Sequence, residues 1–340
     1  MTKEQTYSRH RLYPHEAMEA AKIKMAPLKA KIVRRRADDI VEAQIETLLA
    51  NRLRNIERPE SEEKMGLVIY GDSGAGKTSL VRNRVANNPL LASMTAERDF
   101  GFVSVKFRAP VRIPTAGHAV IRKLGLPNAA LNLRRDYWDE VGRRVAAFNT
   151  HVLHFDETQD AFRQNRSIAH TWLQNFKALM TQDTPAVLVL TGTTEMQPYF
   201  SSPDPQAPRR FVEITLPPLT FKDDAERIAK QIQNYCSMLG ITNCLAGNDY
   251  ERLMRASAFA FGRTLTLGLN GILEVILAGE DKLTLEHLAH AFERDKPSTP
   301  PTKNFFWAPD YVRLSPFGAG YGDGAPLKAQ KSVSRKDTKW

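Results

Sequence analysis

The chain has 340 residues, 42% of them hydrophobic and 25% charged, the balance of a globular protein long enough for one large domain or two ordinary ones. A formal net charge of +10 favours a polyanionic partner, nucleic acid ahead of an anionic membrane surface. No apolar run reaches 18 residues and no apolar leader opens the chain, so neither a transmembrane helix nor a secretion signal is expected, and the location expected is the cytoplasm.

Residues 1–36 hold ten Lys or Arg against three acids and read as a basic N-terminal arm, extended or partly helical. The next segment, 37–55, is predicted to be a helix, with Ile40, Ile45, Leu48, Leu49 and Leu53 on one stripe. From residue 66 the pattern changes to short apolar runs alternating with helical segments. Strands are predicted at 66–70, 100–107, 150–157, 186–193 and 210–219, with helices at 77–88 and 167–181. This alternation predicts an α/β fold with a parallel sheet covered on both faces.

The first strand runs into GDSGAGKTS, residues 71–79. Gly71-x4-Gly76-Lys77-Thr78 is the spacing of a phosphate-binding loop. Its glycines let backbone N–H groups face phosphate oxygens, and the following helix points its positive end at the same place. Gly71, Asp72, Ser73, Gly74, Ala75, Gly76, Lys77, Thr78 and Ser79 are therefore the expected nucleotide contacts. Lys77 would reach the β- and γ-phosphates, and the Thr78 hydroxyl would ligate Mg²⁺. The expected cofactors are ATP and Mg²⁺.

The strand at 150–157 ends in Asp156-Glu157. Asp156 is the expected metal carboxylate and Glu157 the group that polarises the attacking water, a pair that indicates hydrolysis. Thr191 ends the next strand, where its hydroxyl can contact the γ-phosphate or the lytic water; Thr193 and Thr194 are close rivals. Arg209 and Arg210 precede the last strand and can reach the nucleotide of a neighbouring subunit. Beyond Pro217-Pro218 strands disappear from the pattern. A helix is predicted at 223–240 with Gly240 as its cap, and two or three more helices follow to about residue 294. There Arg263, at a helix start, can fold back on the γ-phosphate. Residues 295–303 read as a proline-rich linker, followed by an aromatic cluster at 304–311 and a Gly-, Pro- and Lys-rich end. Cys236 and Cys244 are not at metal-ligand spacing and read as reduced thiols.

Taken in order, LVIYGDSGAGKTSLV, VLHFDETQ, VLVLTGTTEM and RRFVEITLPPLTF resemble the AAA+ ATPases over about residues 40–295. More narrowly they resemble the transposition regulators of the TniB/TnsC kind, with IstB and MuB as distant relatives. The resemblance implies an AAA+ core at 37–220, a small helical lid at 221–295 and a tail at 296–340. It implies an ATPase that forms a homo-oligomeric ring or filament on double-stranded target DNA and recruits or activates a transposase, together with a target-selection protein. It also implies that DNA is gripped by the segment after the second strand, here Lys106, Arg108, Arg112, Arg122 and Lys123, with Arg134 and Arg135 as further candidates. A helicase loader or replication initiator, and a signalling NTPase switch, are the alternative readings.

Overall fold

A computed structural model of the chain describes residues 13–30, 33–58, 64–97, 100–109, 111–125, 138–163, 166–181, 185–201 and 210–316. They form two compact units, Lys29–Leu219 with Ala260–Gly262, and Met1–Leu28 with Thr220–Phe259 and Arg263–Trp340. In chain order the elements begin with α1 (His15–Ala30) and α2 (Arg36–Glu57). The sheet unit continues with β1 (Gly66–Tyr70), α3 (Lys77–Val81), α4 (Pro89–Met94), β2 (Phe102–Lys106), α5 (Ile113–Lys123), α6 (Trp138–Ala147) and β3 (Val152–Asp156). It closes with α7 (Gln159–Phe162), α8 (Arg166–Thr181), β4 (Val187–Gly192), α9 (Gln197–Phe200) and β5 (Phe211–Thr215).

The five strands are all parallel, in the order β2-β3-β4-β1-β5. Every residue of β1, β3 and β4 is buried, which is why these segments read as unbroken apolar runs rather than alternating ones. Each predicted strand is present: β1 has the predicted bounds, and the other four are two to five residues shorter. Because β1 and β3 both flank β4, the loops that follow β1 and β3 emerge together at the carboxyl ends of the strands, where open α/β sheets bind ligands.

The helix predicted at 77–88 is α-helical only to Val81, then widens into a π turn over Arg82–Ala86. Asn88 restarts the chain as α4: its side chain accepts from the N–H groups of Leu90 and Leu91, at 2.9 and 3.2 Å, and Pro89 fits the first helical position. On α2 the expected stripe is shifted. Val41, Ile45, Leu48 and Leu49 are buried, whereas Ile40 and Leu53 are 44% and 46% exposed. The face turned inward also carries Asp38, Asn51 and Arg52, so polar residues with partners replace two of the apolar ones expected there. Helices α5 and α6 had no counterpart in the sequence reading.

In the helical unit Thr220 caps α10 (Phe221–Met238), its hydroxyl accepting from the Asp223 N–H at 3.2 Å. Gly240, with φ of 68°, turns the chain out of the helix. A two-residue parallel pair follows, β6 (Thr242–Asn243) with β7 (Lys282–Leu283), so the region is not strand-free as expected. Between these strands lie α11 (Asn248–Ala256) and α12 (Phe261–Ala278), and α13 (Leu285–Asp295) comes after them. Among the described residues α12 alone is long and apolar enough to cross a membrane. Its contacts are those of a core helix: Glu274 is buried, paired with Arg294 at 2.5 Å and accepting from Tyr13 at 3.1 Å.

Residues expected in the arm and tail also take part in this unit. Ala21, Met25 and Leu28 of α1 are buried. Past α13, Arg252 lies over the Tyr311 ring at 3.9 Å and donates to the carbonyls of Phe305 and Ala308, while Trp307 donates to Glu293 at 2.7 Å. Cys236 and Cys244 are free thiols, and burial pushes that of Cys236 up to about 12. The charged end of the tail lies outside the described residues.

Arg52 ties α2 to the amino-terminal side of the sheet. It is buried, and donates to Pro185 O at 2.8 Å and to Asn149 Oδ1 at 2.6 Å. Arg52→Met keeps the length of the side chain but removes both of these bonds. It should lower unfolding free energy by about 2–4 kcal/mol, read as a reduced denaturant midpoint; an unchanged midpoint would show that the bonds are dispensable.

Candidate active site

The loop between β1 and α3 begins as an extension of the sheet, with the Gly71 N–H donating to Gly192 O at 3.1 Å. It then turns, the Ala75 N–H donating to Asp72 O at 3.0 Å. Gly74 and Gly76 have φ of 81° and 85°, a region closed to most L side chains. Lys77 curls back into this turn and donates to Gly71 O at 2.6 Å and Asp72 O at 3.0 Å. The nine expected nucleotide residues are thus one closed loop on the first turn of α3. Asp72, Ser73, Gly74, Thr78 and Ser79 are its exposed members.

Asp156 ends β3 beside this loop and is buried. Its Oδ2 accepts from the Thr78 hydroxyl at 2.8 Å, and its Oδ1 accepts from the Thr191 hydroxyl at 2.7 Å and the Glu157 N–H at 3.1 Å. A hydroxyl and a carboxylate so placed are hard oxygen donors of the kind Mg²⁺ takes singly or in pairs while keeping its waters, so these residues fit the ion. Among the described residues no cluster of three or more His, Cys, Asp or Glu offers a different metal site.

Thr191 is fully buried, and its hydroxyl also meets His154 Nε2 at 2.9 Å. Its oxygen therefore faces Asp156 and His154, not an open position. The buried hydroxyl of Thr193, one of its rivals, has no hydrogen-bond partner among the described residues. His154 is itself buried, which pushes its pKa down to about 4 against the opposing pull of Asp156, and it is neutral near pH 7.

Glu157 has φ of 57°, a left-handed conformation that costs a non-glycine residue about 1–3 kcal/mol. Its carboxylate accepts from Gln159 Nε2 at 2.7 Å and faces Lys106 Nζ at 3.6 Å. Gln159 in turn accepts from the Thr193 N–H at 3.3 Å. Lys106, expected on DNA, stands beside this carboxylate.

Two contacts on the loop had no signal in the sequence reading. Arg35, counted with the basic arm, donates to Ala75 O at 2.6 Å, pairs with the buried Asp38 at 2.8 Å and lies over the Phe261 ring at 4.9 Å. Next to Phe261, the Gly262 N–H donates to Gly74 O at 2.8 Å, and a Cβ at Gly262 would stand 2.7 Å from that oxygen. Both grip carbonyls, leaving the N–H side of the loop to a ligand.

The Arg210 carbonyl accepts from the Met65 and Gly66 N–H groups, where β1 begins. That is the opposite end of the sheet from the loop, about 13 Å away along a five-residue strand. Arg209, Arg134 and Arg135 lie outside the described residues. Arg263 follows Gly262 but belongs to the helical unit, where its charge bears on Lys296. Arg108, Arg112, Arg122 and Lys123 are exposed. Arg112 stands at the start of α5 and the last two in its final turn, about 15 Å apart.

Arg35→Ala should weaken ATP binding on the order of tenfold, through loss of a charged hydrogen bond to the loop, with Arg35→Lys intermediate. Titration with a fluorescent nucleotide reads this, and wild-type affinity in Arg35→Ala would rule out a role for the contact.

The fold is that of the AAA+ ATPases. Structures similar to this chain include the Aeropyrum pernix ORC1 protein in complex with DNA, at 16% identity and a TM-score of 0.58, covering 81% of this chain and 68% of that one. CDC6p from Pyrobaculum aerophilum is similar at 14% identity and 0.52, covering 82% and 75%. Drosophila ORC bound to DNA is similar at 14% and 0.53, covering 88% and 71%. No curated protein matches the chain. The family model described as the bacterial TniB protein matches residues 31–221, which include the phosphate loop, Asp156-Glu157 and Thr191, and the chain belongs to the TniB family.

Proposed function

We propose that this chain is an ATPase acting on DNA, and that it controls transposition by assembling, in its ATP state, as a homo-oligomer on double-stranded target DNA to recruit or activate a transposase. The observation that carries the reading is the 2.8 Å contact between the Thr78 hydroxyl and Asp156 beside a closed phosphate loop. Membership of the TniB family supports the link to transposition. The likeness to ORC1 in complex with DNA favours a replication initiator as second reading, but at 16% identity it speaks for the fold alone.

In this reading the N–H groups of Gly74, Gly76, Lys77 and Thr78 and the Lys77 ammonium hold the phosphates, which requires Lys77 to leave its carbonyl contacts for the nucleotide. Thr78 and Asp156 hold Mg²⁺, which when bound offsets the charge of the β- and γ-phosphates. Glu157 orients the attacking water and accepts its proton, with Gln159 and Lys106 setting where its carboxylate points. Thr191 steadies Asp156, and Thr193, whose hydroxyl has no partner among the described residues, takes the contact with water or phosphate. Arg210, with Arg209, serves the neighbouring subunit, since its place at the far end of the sheet keeps it from its own loop. Arg263 contributes from the lid at 221–295. Arg108, Arg112, Arg122 and Lys123 bind DNA phosphates without reading sequence.

Glu157→Gln should bind ATP but hydrolyse it more slowly by about two to four orders of magnitude, and so hold the oligomer on DNA. Lys77→Ala should lose both nucleotide binding and assembly. Phosphate release and electron microscopy with DNA and ATP check both. Wild-type turnover in Glu157→Gln would remove the base assignment, and a wild-type chain that stays monomeric with ATP and DNA would remove the assembly.

A further inference from the structure

A row of polar side chains crosses three strands on one face of the sheet. Ser104 on β2 stands in register with His154 on β3, and Ser104 Oγ lies 2.9 Å from His154 Nδ1. On the other side of the ring, His154 Nε2 lies 2.9 Å from Thr191 Oγ1 on β4, which is 2.7 Å from Asp156 Oδ1. His154, Thr191 and Asp156 are almost completely buried, so each hydrogen bond lost there leaves a polar atom without water to replace its partner.

Counting protons gives the row a direction. An ionised carboxylate only accepts, so the single hydroxyl proton of Thr191 points at Asp156. The Thr191 oxygen then has only lone pairs for His154, and Nε2 must carry the ring proton. A neutral imidazole has one N–H, so Nδ1 is bare and accepts from the Ser104 hydroxyl. Every bond runs from Ser104 towards Asp156, whose Oδ2 is left to Thr78. Without the Ser104 donor the ring can take the other tautomer. Nε2 then becomes an acceptor that competes for the Thr191 proton, and Asp156 loses a donor that fixes its rotation.

We propose that Ser104 and His154 are positioning residues for the metal carboxylate: Ser104 holds His154 in the Nε2–H tautomer, and His154 thereby commits the Thr191 hydroxyl to Asp156. This rests on the reading of Asp156 as the Mg²⁺ carboxylate. Partners one step removed from a metal ligand change metal affinity about 10–100-fold, and the relay should fall in that range.

The test uses the full chain and three variants. Ser104→Ala removes the donor. His154→Gln places an amide N–H₂, a donor with no tautomers, where Nε2 stands. The double variant combines them. Long-range ¹H–¹⁵N spectra of histidine-labelled protein, with the His154 signal identified by its loss in His154→Gln, should show an Nε2–H ring in the wild type and a shift towards Nδ1–H in Ser104→Ala. Titration of Mg²⁺ against binding of a fluorescent ATP analogue should show about tenfold weaker apparent Mg²⁺ affinity in Ser104→Ala. Metal-free nucleotide binding should be unchanged, and the double variant should return towards wild-type Mg²⁺ affinity. A Mg²⁺-dependent wild type whose Ser104→Ala variant keeps both the tautomer and the Mg²⁺ affinity overturns the relay alone. Failure of His154→Gln to restore Mg²⁺ affinity beside Ser104→Ala does so too. Wild-type nucleotide binding indifferent to Mg²⁺ would remove the metal reading and the relay with it.

Discussion

The hydrogen bond from Thr78 to Asp156 is the constraint on which the rest of the site depends. Its two ends are 78 residues apart in sequence, and nothing local to either end creates it. It exists because the strand order sets β1 and β3 on either side of β4, with all three strands ending at one level. The covered faces of those strands supply the stabilisation. The chain can then keep a carboxylate and a histidine in the interior because each is surrounded by partners that satisfy it.

The carboxyl ends of the strands therefore concentrate what would elsewhere be destabilising. A non-glycine residue sits in the left-handed region at Glu157, an acid is buried at Asp156, and a lysine folds into its own loop at Lys77. Each is held by bonds to a different element. Gln159 links Glu157 to the end of β4, Thr191 links Asp156 to the same strand, and Arg35 and Gly262 hold the loop from outside. Such strained and partnered groups are retained where chemistry needs them in place.

What was legible in the sequence was local. Runs such as LVIY and VLVL, buried on both faces, announce parallel strands, and a phosphate loop is a backbone shape written in glycines. Helix α5 was not legible because its buried face is made of Ala116, Gly117, Val120 and Ile121, where two of four positions are too small to give a hydrophobic period. The strands β6 and β7 are two residues each and pair across about 40 positions, beyond any local pattern. Ile40 and Leu53 misled because the inward face of α2 takes charged and amide groups that find partners only in the folded chain. Arg35 looked like one cation in a basic run, and its contacts beyond Asp38 come from residues 40 and 226 positions further on.

The place of Arg35 also decides what a shortened chain would be. Cut after residue 34, the polypeptide keeps the guanidinium that sits between Asp38 and the phosphate loop. Cut two residues later, at what looks like the same boundary between a charged arm and a folded core, it keeps Asp38 facing Arg84 at 3.5 Å but loses the closer Arg35. A buried acid that has lost its nearer cation is an electrostatic fault inside the fold, and it would stand where Arg35 had joined α2 to the loop that carries the proposed chemistry. The border between arm and domain is thus drawn by the reach of one side chain, not by where the helix begins.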